Sequence, residues 1–441
     1  MADLNALKTR LDQMMIKVEQ LEPGGDLAGL IDAELAGFNR ELAEAIVQQR
    51  ETTTTREESD FPPVGCESCR RLMRPAGVQP RRIKTLQGEL AYRRTVHECP
   101  ACRSSRAPLD AEMGVGSGQQ INRSLPRKVA WSAARMGFAD ASANLAEMIG
   151  VHAGAAECQR VALDVGEAFD AHQRREEAAR LAPVSPEQPA PEIQAEHLVL
   201  EADAASVLTR ADEQHKMVWR GRAFALEDRG GRPANGDGER PFIARGRHAA
   251  GAGDMEDFGG RLKALAYRMG LRRALATAFI ADGATCLWNW ARQHLPPGTV
   301  LIQDFWRVVE HLSGLVYELW GDGEQAERKR KQWKQALWES QLDEVLDDLR
   351  AEHKRRRGAL RARLEREIGY LENGRERMDY ARYWAAGWPV GSGAIEADCK
   401  HLVKERFNLT GARWRRTNIA PVLALCVAIF NEEWDRLWSQ N

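Results

Sequence analysis

Apolar residues recur at helical spacing near the start of the chain. Steps of three and four residues alternate along Leu4, Leu7, Leu11, Met14, Val18 and Leu21. Such a seam is typical of one helix in a coiled coil, although about three heptads make a short one. For residues 1–50 the pattern leaves two interpretations open, a coiled coil that dimerises and a helix that packs on its own chain. The polar stretch 51–63 then predicts a linker.

A second helical pattern runs from residue 119 to residue 181. Its short helices, joined through Gly150 and Gly154, fit a helix-turn-helix that reads DNA as well as they fit a plain helical connector. The following segment, 182–195, is rich in proline and predicts a linker between domains.

Beyond residue 195 the order of the predicted elements is informative. Strands are expected at 197–208, 215–220 and 222–227, then a helix at 254–270, a strand at 274–282, a helix at 285–294 and a strand at 299–304. Three strands, helix, strand, helix, strand is the order of the ribonuclease H-like fold. The sequence therefore predicts an α/β, multi-domain protein with a ribonuclease H-like core at 196–307. A helical, highly charged segment at 308–386 and a last region at 387–441 follow it.

Three acidic residues stand where these elements would bring them together. Asp203 lies in the first strand, Asp282 ends the fourth, and Glu396 follows the glycine-rich turn of GWPVGSGAIEADCK at the start of a predicted helix. Carboxylates on different elements can hold two divalent cations, which keep the attacking and leaving oxygens of a phosphodiester in line. We therefore predict that these three residues are catalytic and bind two Mg²⁺ or Mn²⁺ ions. Taken alone, Asp282 before Gly283 is typical of a turn.

From about residue 60 to the end, the surroundings of these acids resemble those of bacterial insertion-sequence transposases of the ISKra type, relatives of the wider DDE superfamily. The resemblance implies metal-dependent cleavage and strand transfer of DNA at the ends of the protein's own insertion sequence. It also implies an all-helical insertion between the last strand of the core and Glu396.

Two positions depart from the pattern of this family. Family members usually have glycine where this chain has Ala204, directly after the first acid. The segment TVLIQDFWRVVEHL matches a motif of Asp, two residues and His, in which Asp304 is the aspartate and Arg307 stands at the histidine position. Asp304 is a rival to Asp282 as the second acid. We predict that Asp304 and Arg307 lie against the DNA, the alternatives being that Asp304 pairs with Arg307 or caps the next helix.

Four of the eight cysteines form two CxxC pairs, Cys66 with Cys69 and Cys99 with Cys102. Four thiolates at this spacing are the ligand set of a tetrahedral, structural Zn²⁺ site. The segment QGELAYRRTVHECP predicts a hairpin that returns the second pair to the first. The sequence therefore predicts a zinc ribbon at 60–110 with one zinc ion, and reduced cysteines without a metal are the alternative.

Basic residues concentrate in three places, ERKRKQWK, HKRRRGALRARLER and GARWRRTN. Arginine and lysine meet DNA phosphates and release counterions, so such clusters favour salt-sensitive binding. For the first two clusters a solvated helix face is an equal alternative. We predict DNA contacts from the third cluster, at Arg413, Trp414, Arg415 and Arg416, with Trp414 as a core anchor as the alternative.

The chain as a whole is nearly neutral, with 63 basic and 64 acidic residues among 441. Any attraction to DNA must therefore be local. The first residues resemble no secretion signal and no apolar run reaches the length of a membrane span, so we expect a cytoplasmic, nucleoid-associated protein with no membrane partner.

The partners that the sequence predicts are double-stranded DNA, at terminal inverted repeats and at the target, and further copies of the chain in a homodimer or a higher oligomer. Two alternatives to a DDE transposase stay open. One is a transposase-derived DNA-binding protein with attenuated catalysis, and the other is a ribonuclease H-like nuclease without strand transfer.

Overall fold

The computed structural model describes residues 4–22, 25–55, 64–116, 119–185, 188–193, 196–210, 216–227, 242–243, 246–391 and 403–439. The chain divides into two compact units, Met1–Val165 and Gly166–Asn441. Each unit has its own hydrophobic core, as the patterns of apolar residues predict for a chain of this length.

The first unit contains helices, one hairpin and a short third strand. Its elements are α1 (Leu4–Glu19), α2 (Leu27–Thr55), β1 (Arg74–Thr85), β2 (Gly88–Glu98), β3 (Ser105–Arg106), α3 (Pro108–Glu112), α4 (Leu125–Arg135), α5 (Phe138–Ile149) and the first part of α6 (Ala155–Leu181). The predicted helix near the start of the chain and the helical region after residue 119 are both present. Helix α2 continues to Thr55, so the first part of the predicted linker at 51–63 is helical, and residues 56–63 lie outside the described part.

The β1–β2 hairpin is antiparallel, with Ile83 directly opposite Leu90. These two residues share a small core with Tyr92, Leu109 and Val47. A separate core joins α4, α5 and the start of α6 through Val129, Leu145, Cys158 and neighbouring apolar residues. Tertiary packing of one apolar face therefore stabilises each of these short helices.

The second unit contains a mixed sheet with helices on both faces. Its strands are β4 (His197–Val207), β5 (Lys216–Glu227), β6 (Phe242–Ile243), β7 (Arg247–Gly251), β8 (Ala276–Ala281) and β9 (Val300–Gln303). The order across the sheet is β6-β5-β4-β8-β9, and β7 also pairs with β5. Strands β6 and β7 run antiparallel to β5, β5 runs antiparallel to β4, and β8 and β9 run parallel to β4.

The helices on this sheet are α7 (Met255–Arg268) and α8 (Thr285–His294), which connect strands, and α9 (Phe305–Trp320), which follows β9. Alternate strand residues face opposite layers, as the two-residue period of a strand requires. Val199 and Ile280 pack in the core beneath α9, whereas Leu200 and Phe279 pack in the core beneath α7 and α8.

Two predicted strands, 215–220 and 222–227, are one continuous strand, and the predicted break between them is wrong. Gly221 lies mid-strand because helix α7 passes close to it: a Cβ added there would come within 2.5 Å of Leu262 Cδ1. The third long strand of the antiparallel part is instead β7, in an alanine- and glycine-rich stretch that the pattern did not identify.

The predicted helical segment at 308–386 is confirmed as helical. After α9 it contains α10 (Glu324–Trp338), α11 (Leu342–Arg355), α12 (Gly358–Gly374) and α13 (Tyr380–Ala385). The described end of the chain has a helical turn at Glu405–Phe407, then α14 (Ile419–Phe430) and α15 (Trp434–Ser439).

Candidate functional site

A row of acidic residues crosses the centre of the mixed sheet at the carboxyl ends of its parallel strands. Ala202 pairs with Ala281, and Ala281 pairs with Gln303. The next residue in each segment is an aspartate: Asp203 lies within β4, Asp282 directly follows β8 and Asp304 directly follows β9. Because neighbouring strands lie about 4.8 Å apart, the three aspartates are lateral neighbours. The sequence placed these acids at strand ends, and the register brings them together.

Asp203 is 8% exposed, and both of its carboxylate oxygens have partners. Oδ1 accepts a hydrogen bond of 2.6 Å from the backbone N–H of Ala204. Oδ2 accepts one from the guanidinium of Arg220, which lies directly opposite Asp203 on β5. The backbone N–H of Ala204 thus helps to hold this carboxylate in a fixed position.

The environment of Asp282 disfavours the charged form of its carboxyl group. Burial raises the pKa of the Asp282 carboxyl, and the neighbouring charge of Asp203 raises that pKa further. Its Oδ1 accepts a long hydrogen bond of 3.3 Å from the backbone N–H of Ala284. Asp203 is buried and Asp282 is half-buried, and the two adjacent carboxylates repel each other. A divalent cation between them would relieve that repulsion. Asp203 and Asp282 therefore have the donor chemistry of a site for Mg²⁺ or Mn²⁺.

Asp304 is the N-cap residue of α9. Its carboxylate accepts a hydrogen bond of 3.0 Å from the backbone N–H of Arg307, and Asp304 is only 3% exposed. The guanidinium of Arg307 pairs with Glu310, with 2.6 Å between NH1 and Oε2. The sequence left open whether Asp304 pairs with the Arg307 side chain or caps the next helix, and these contacts match the cap.

Glu396, the third predicted acid, lies outside the described residues. Beyond it, Arg413, Arg415 and Arg416 are exposed. Trp414 is 6% exposed, its indole N–H donates to the carbonyl of Phe407 at 3.0 Å, and the two rings lie 4.7 Å apart. This packing matches the core-anchor alternative, so the ring of Trp414 is not available to DNA and the prediction of a DNA contact is corrected at this residue.

A second candidate site lies in the first unit, where Cys66, Cys69, Cys99 and Cys102 form one cluster. Their sulfur atoms all lie within 4.8 Å of one another, and the pairs 66–102 and 69–99 are 3.5 and 3.4 Å apart. Four thiolates around a zinc ion with bonds of 2.3 Å would be separated by about 3.8 Å. The cluster could therefore hold a metal ion such as zinc, as the paired spacing predicts.

The two CxxC pairs have the same backbone geometry. Cys66 N–H donates to Arg71 and Arg70 N–H donates back to Cys66, and the same pattern joins Cys99 with Ser104 and Arg103. Both arginines have positive φ angles, 59° at Arg70 and 60° at Arg103. A tight turn after the second cysteine of each pair needs this left-handed conformation, which directs both thiols to one point.

The thiol of Cys66 is prepared for a metal. A hydrogen bond with the Ser104 hydroxyl, supported by the backbone N–H of Cys69, lowers the pKa of Cys66 to about 6. At Cys69 the backbone N–H of Arg71 favours the thiolate, but hydrogen bonds with Cys99 and the other thiols outweigh it and raise the pKa to about 11. The thiolate is the form that binds metal, so a bound ion is what would hold all four cysteines deprotonated.

Two features of functional interest escaped the sequence analysis. One is Arg220, whose only signal was an arginine between two apolar residues, Trp219 and Gly221. The other is the exposed face of α4, which carries Lys128, Trp131 and Arg135 with Arg123 just before the helix. The helical spacing of these residues, with no acidic residue in α4, was the available signal.

No protein-family model matches the chain, and a search of curated proteins finds no match. Among the helices that the structure describes, none is both long and apolar enough to cross a membrane. The function therefore has to be proposed from the residues of the two sites.

Proposed function

We propose that the protein is a DDE transposase with a ribonuclease H-like catalytic core and a zinc ribbon. The observation that carries this proposal is that Asp203, buried within β4, and Asp282, half-buried just after β8, directly follow the paired residues Ala202 and Ala281. Phosphodiester cleavage that depends on two metal ions needs carboxylates from separate elements in such an arrangement.

The topology of the sheet supports the proposed core. Strands β7, β5 and β4 form an antiparallel meander, and β8 and β9 then add in parallel on the other side of β4. Helices α7 and α8 connect the last three strands. This is the arrangement expected when three strands are followed by helix, strand, helix and strand in a ribonuclease H-like fold.

In this proposal Asp203 and Asp282 hold the divalent cations, and Glu396 completes the ligand set. The bound ions would lower the pKa of a nucleophilic water or 3′-hydroxyl and offset the charge on the leaving oxygen. The backbone bond from Ala204 and the pair with Arg220 hold the Asp203 carboxylate oriented. Asp304, as the cap of α9, fixes the helix that carries Arg307 beside the two acids.

Double-stranded DNA is the proposed partner, bound through local basic surfaces. Lys128 and Arg135 are exposed on α4, and the guanidinium of Arg135 lies 4.6 Å from the ring centre of Trp131, which is 38% exposed. An exposed aromatic ring among cations and without acids suits contact with a phosphate backbone. A second basic surface is formed by three exposed arginines, Arg413, Arg415 and Arg416, without an exposed aromatic ring from Trp414.

The decisive experiment is incubation of the purified protein with the DNA that flanks its own gene, in Mg²⁺, followed by mapping of cut and joined ends. Asp203→Asn, Asp282→Asn and Glu396→Gln should each lower the cleavage rate by orders of magnitude while DNA binding persists, because each removes a charged metal ligand. Asp164→Asn is the matched control, since Asp164 is an exposed helix residue paired with Arg160. Activity of Asp282→Asn together with inactivity of Asp304→Asn would assign the second metal site to Asp304.

One observation favours a second candidate, a transposase-derived DNA-binding protein with attenuated catalysis. Arg220 already neutralises Asp203, and arginine stands at the histidine position of the family motif. Binding to the flanking DNA without cleavage in Mg²⁺ or Mn²⁺ would identify this candidate. Cleavage without joining of the cut end to a target plasmid would identify a nuclease instead.

A further inference from the structure

Arg220 is a buried cation that has more hydrogen-bond donors than partners. Its side chain lies in the centre of the sheet on β5, and the residue is 5% exposed. One terminal nitrogen donates to Asp203 Oδ2. The other terminal nitrogen and Nε are both buried and have no hydrogen-bond partner within the described chain.

If Asp203 is the sole hydrogen-bond partner of Arg220, burial of its remaining N–H donors destabilises the fold. A guanidinium carries five N–H donors, and buried donors without acceptors lose their hydration without replacement. Tyr, Ser or amide side chains that usually satisfy such donors do not hydrogen-bond to Arg220 in the described part of the sheet. The free donors of Arg220 therefore require an additional acceptor.

The charges of the neighbouring acids, Asp203 and Asp282, indicate which kind of acceptor Arg220 requires. Asp203 and Asp282 are the acids that act on both Arg220 and Arg307, so two negative and two positive side chains balance before any metal binds. Once divalent cations bind to the two acids, as the proposed function requires, the charge of Arg220 becomes surplus at a buried position. An anionic oxygen is then needed, and a phosphate supplies charge and hydrogen-bond acceptors together.

We propose that Arg220 binds a non-bridging oxygen of one DNA phosphate beside Asp203, and that it is a catalytic residue for the reaction at that phosphate. This inference rests on the proposed function. Arg220 holds Asp203 in the absence of DNA and shares its guanidinium between Asp203 and the phosphate in the complex. No covalent step involves Arg220.

The rival role is purely structural, with Arg220 as the counter-ion that keeps Asp203 in place. The two roles differ in their response to DNA from which a single negative charge has been removed. A methylphosphonate linkage replaces one anionic oxygen by a neutral methyl group. Binding is measured in Ca²⁺ in place of Mg²⁺, so that the two acids hold a divalent cation as the proposal requires. Comparison of wild type with the Arg220 variants then separates the arginine contact from effects on metal coordination.

The test uses DNA fragments from the end of the insertion sequence, each with a methylphosphonate at a different single linkage. The affinity of each fragment is measured for wild type, Arg220→Gln, Arg220→Lys and Arg247→Gln. Arg247 is the matched control, a strand arginine whose pair with Glu192 at 2.8 Å lies outside the acidic row. For wild type and the control, one linkage should show a loss of roughly tenfold or more, the value of a charge-assisted hydrogen bond. Arg220→Gln should bind unmodified DNA with an affinity lower than that of wild type by a similar factor. A methylphosphonate at the sensitive linkage should not lower the affinity of this variant further.

The lysine variant keeps the charge at this position, so it should retain part of the sensitivity at the same linkage even where the glutamine variant is poorly folded. An undiminished methylphosphonate effect in either folded variant would overturn the proposal, as would the absence of any sensitive linkage for wild type. Failure of the proposed function would give a different result. Wild-type protein would then cleave no flanking DNA in Mg²⁺ or Mn²⁺, although one methylphosphonate linkage would still weaken its binding.

Discussion

Asp304 contacts Arg307 through the backbone of Arg307 rather than through its side chain. The Asp304 carboxylate accepts the Arg307 N–H at 3.0 Å, whereas the Arg307 guanidinium pairs with Glu310. The two residues thus form the first turn of α9, and this turn fixes the position from which the arginine approaches Asp203 and Asp282.

We predict that Asp304→Asn leaves stability nearly unchanged, whereas Asp304→Ala lowers the free energy of unfolding by about 1 kcal/mol. Asparagine keeps the oxygen that caps α9, and alanine removes it. Urea denaturation of the three proteins measures the difference. Equal losses for both variants would show that the charge of Asp304, and not its cap, stabilises this part of the fold.

The side chain of Arg307 gives a second prediction. Its guanidinium is 38% exposed, and its pair with Glu310 at the surface is worth at most about 1 kcal/mol. If Arg307 holds a DNA phosphate, Arg307→Ala should lower the cleavage rate strongly and Arg307→His should keep part of it, since histidine retains one donor. Near-normal rates for both variants would exclude the phosphate role, and a faster histidine variant would identify arginine as the attenuating residue.

The sequence was most informative where local pattern and tertiary packing agree. Helix α8 was expected at 285–294, and it occupies these residues because its tryptophans face the core. The break expected at Gly221 failed because that glycine serves a close contact with α7, which depends on a residue far along the chain. Arg220 was missed for a similar reason. Its importance arises from a cross-strand partner, and no spacing within β5 reveals that partner.

The cysteine cluster leads to a prediction about metal content. Elemental analysis should find about one zinc per chain, because four thiolates complete a tetrahedral shell. Cys66→Ser or Cys99→Ser should abolish zinc binding and unfold the hairpin region while the second unit keeps its stability. Cys158→Ser is the control, since Cys158 is buried in a separate helical core. Full stability of zinc-free wild-type protein would contradict a structural role.

The exposed face of α4 predicts a measurable salt dependence. Arg123, Lys128 and Arg135 form no ion pair with an acid among the residues that the structure covers, so their charges are open to phosphates. Replacing all three by alanine should reduce the slope of log affinity against log salt by about 2 to 3, roughly 0.9 for each phosphate that is no longer neutralised. Arg160→Ala is the control, because Arg160 is already paired with Asp164 on α6. An unchanged slope in the triple variant would place DNA elsewhere.

A partly buried charge cluster around Arg261 in the second unit predicts a pH-dependent stability. Asp170, Glu177 and Asp257 share two cations, Arg174 and Arg261, so one acid lacks a full counter-charge. Asp170 and Asp257 lie within 2.6 to 2.9 Å of their arginines, whereas Glu177 is 3.5 Å from Arg261. Burial is the main reason that the pKa of Glu177 is raised to about 7.

A carboxyl group with a raised pKa binds its proton more tightly in the folded state than in the unfolded state. The folded protein should therefore lose stability as pH rises from the ordinary glutamate value to about 7, by up to about 3 kcal/mol. Glu177→Gln keeps the shape and cannot ionise, so it should match wild type near pH 4 and exceed its free energy of unfolding at pH 8. Urea titrations at both pH values test this, with the exposed Glu167→Gln as control. A gap between wild type and Glu177→Gln that stays constant with pH would show that Glu177 is ionised throughout, with Arg261 as a sufficient partner.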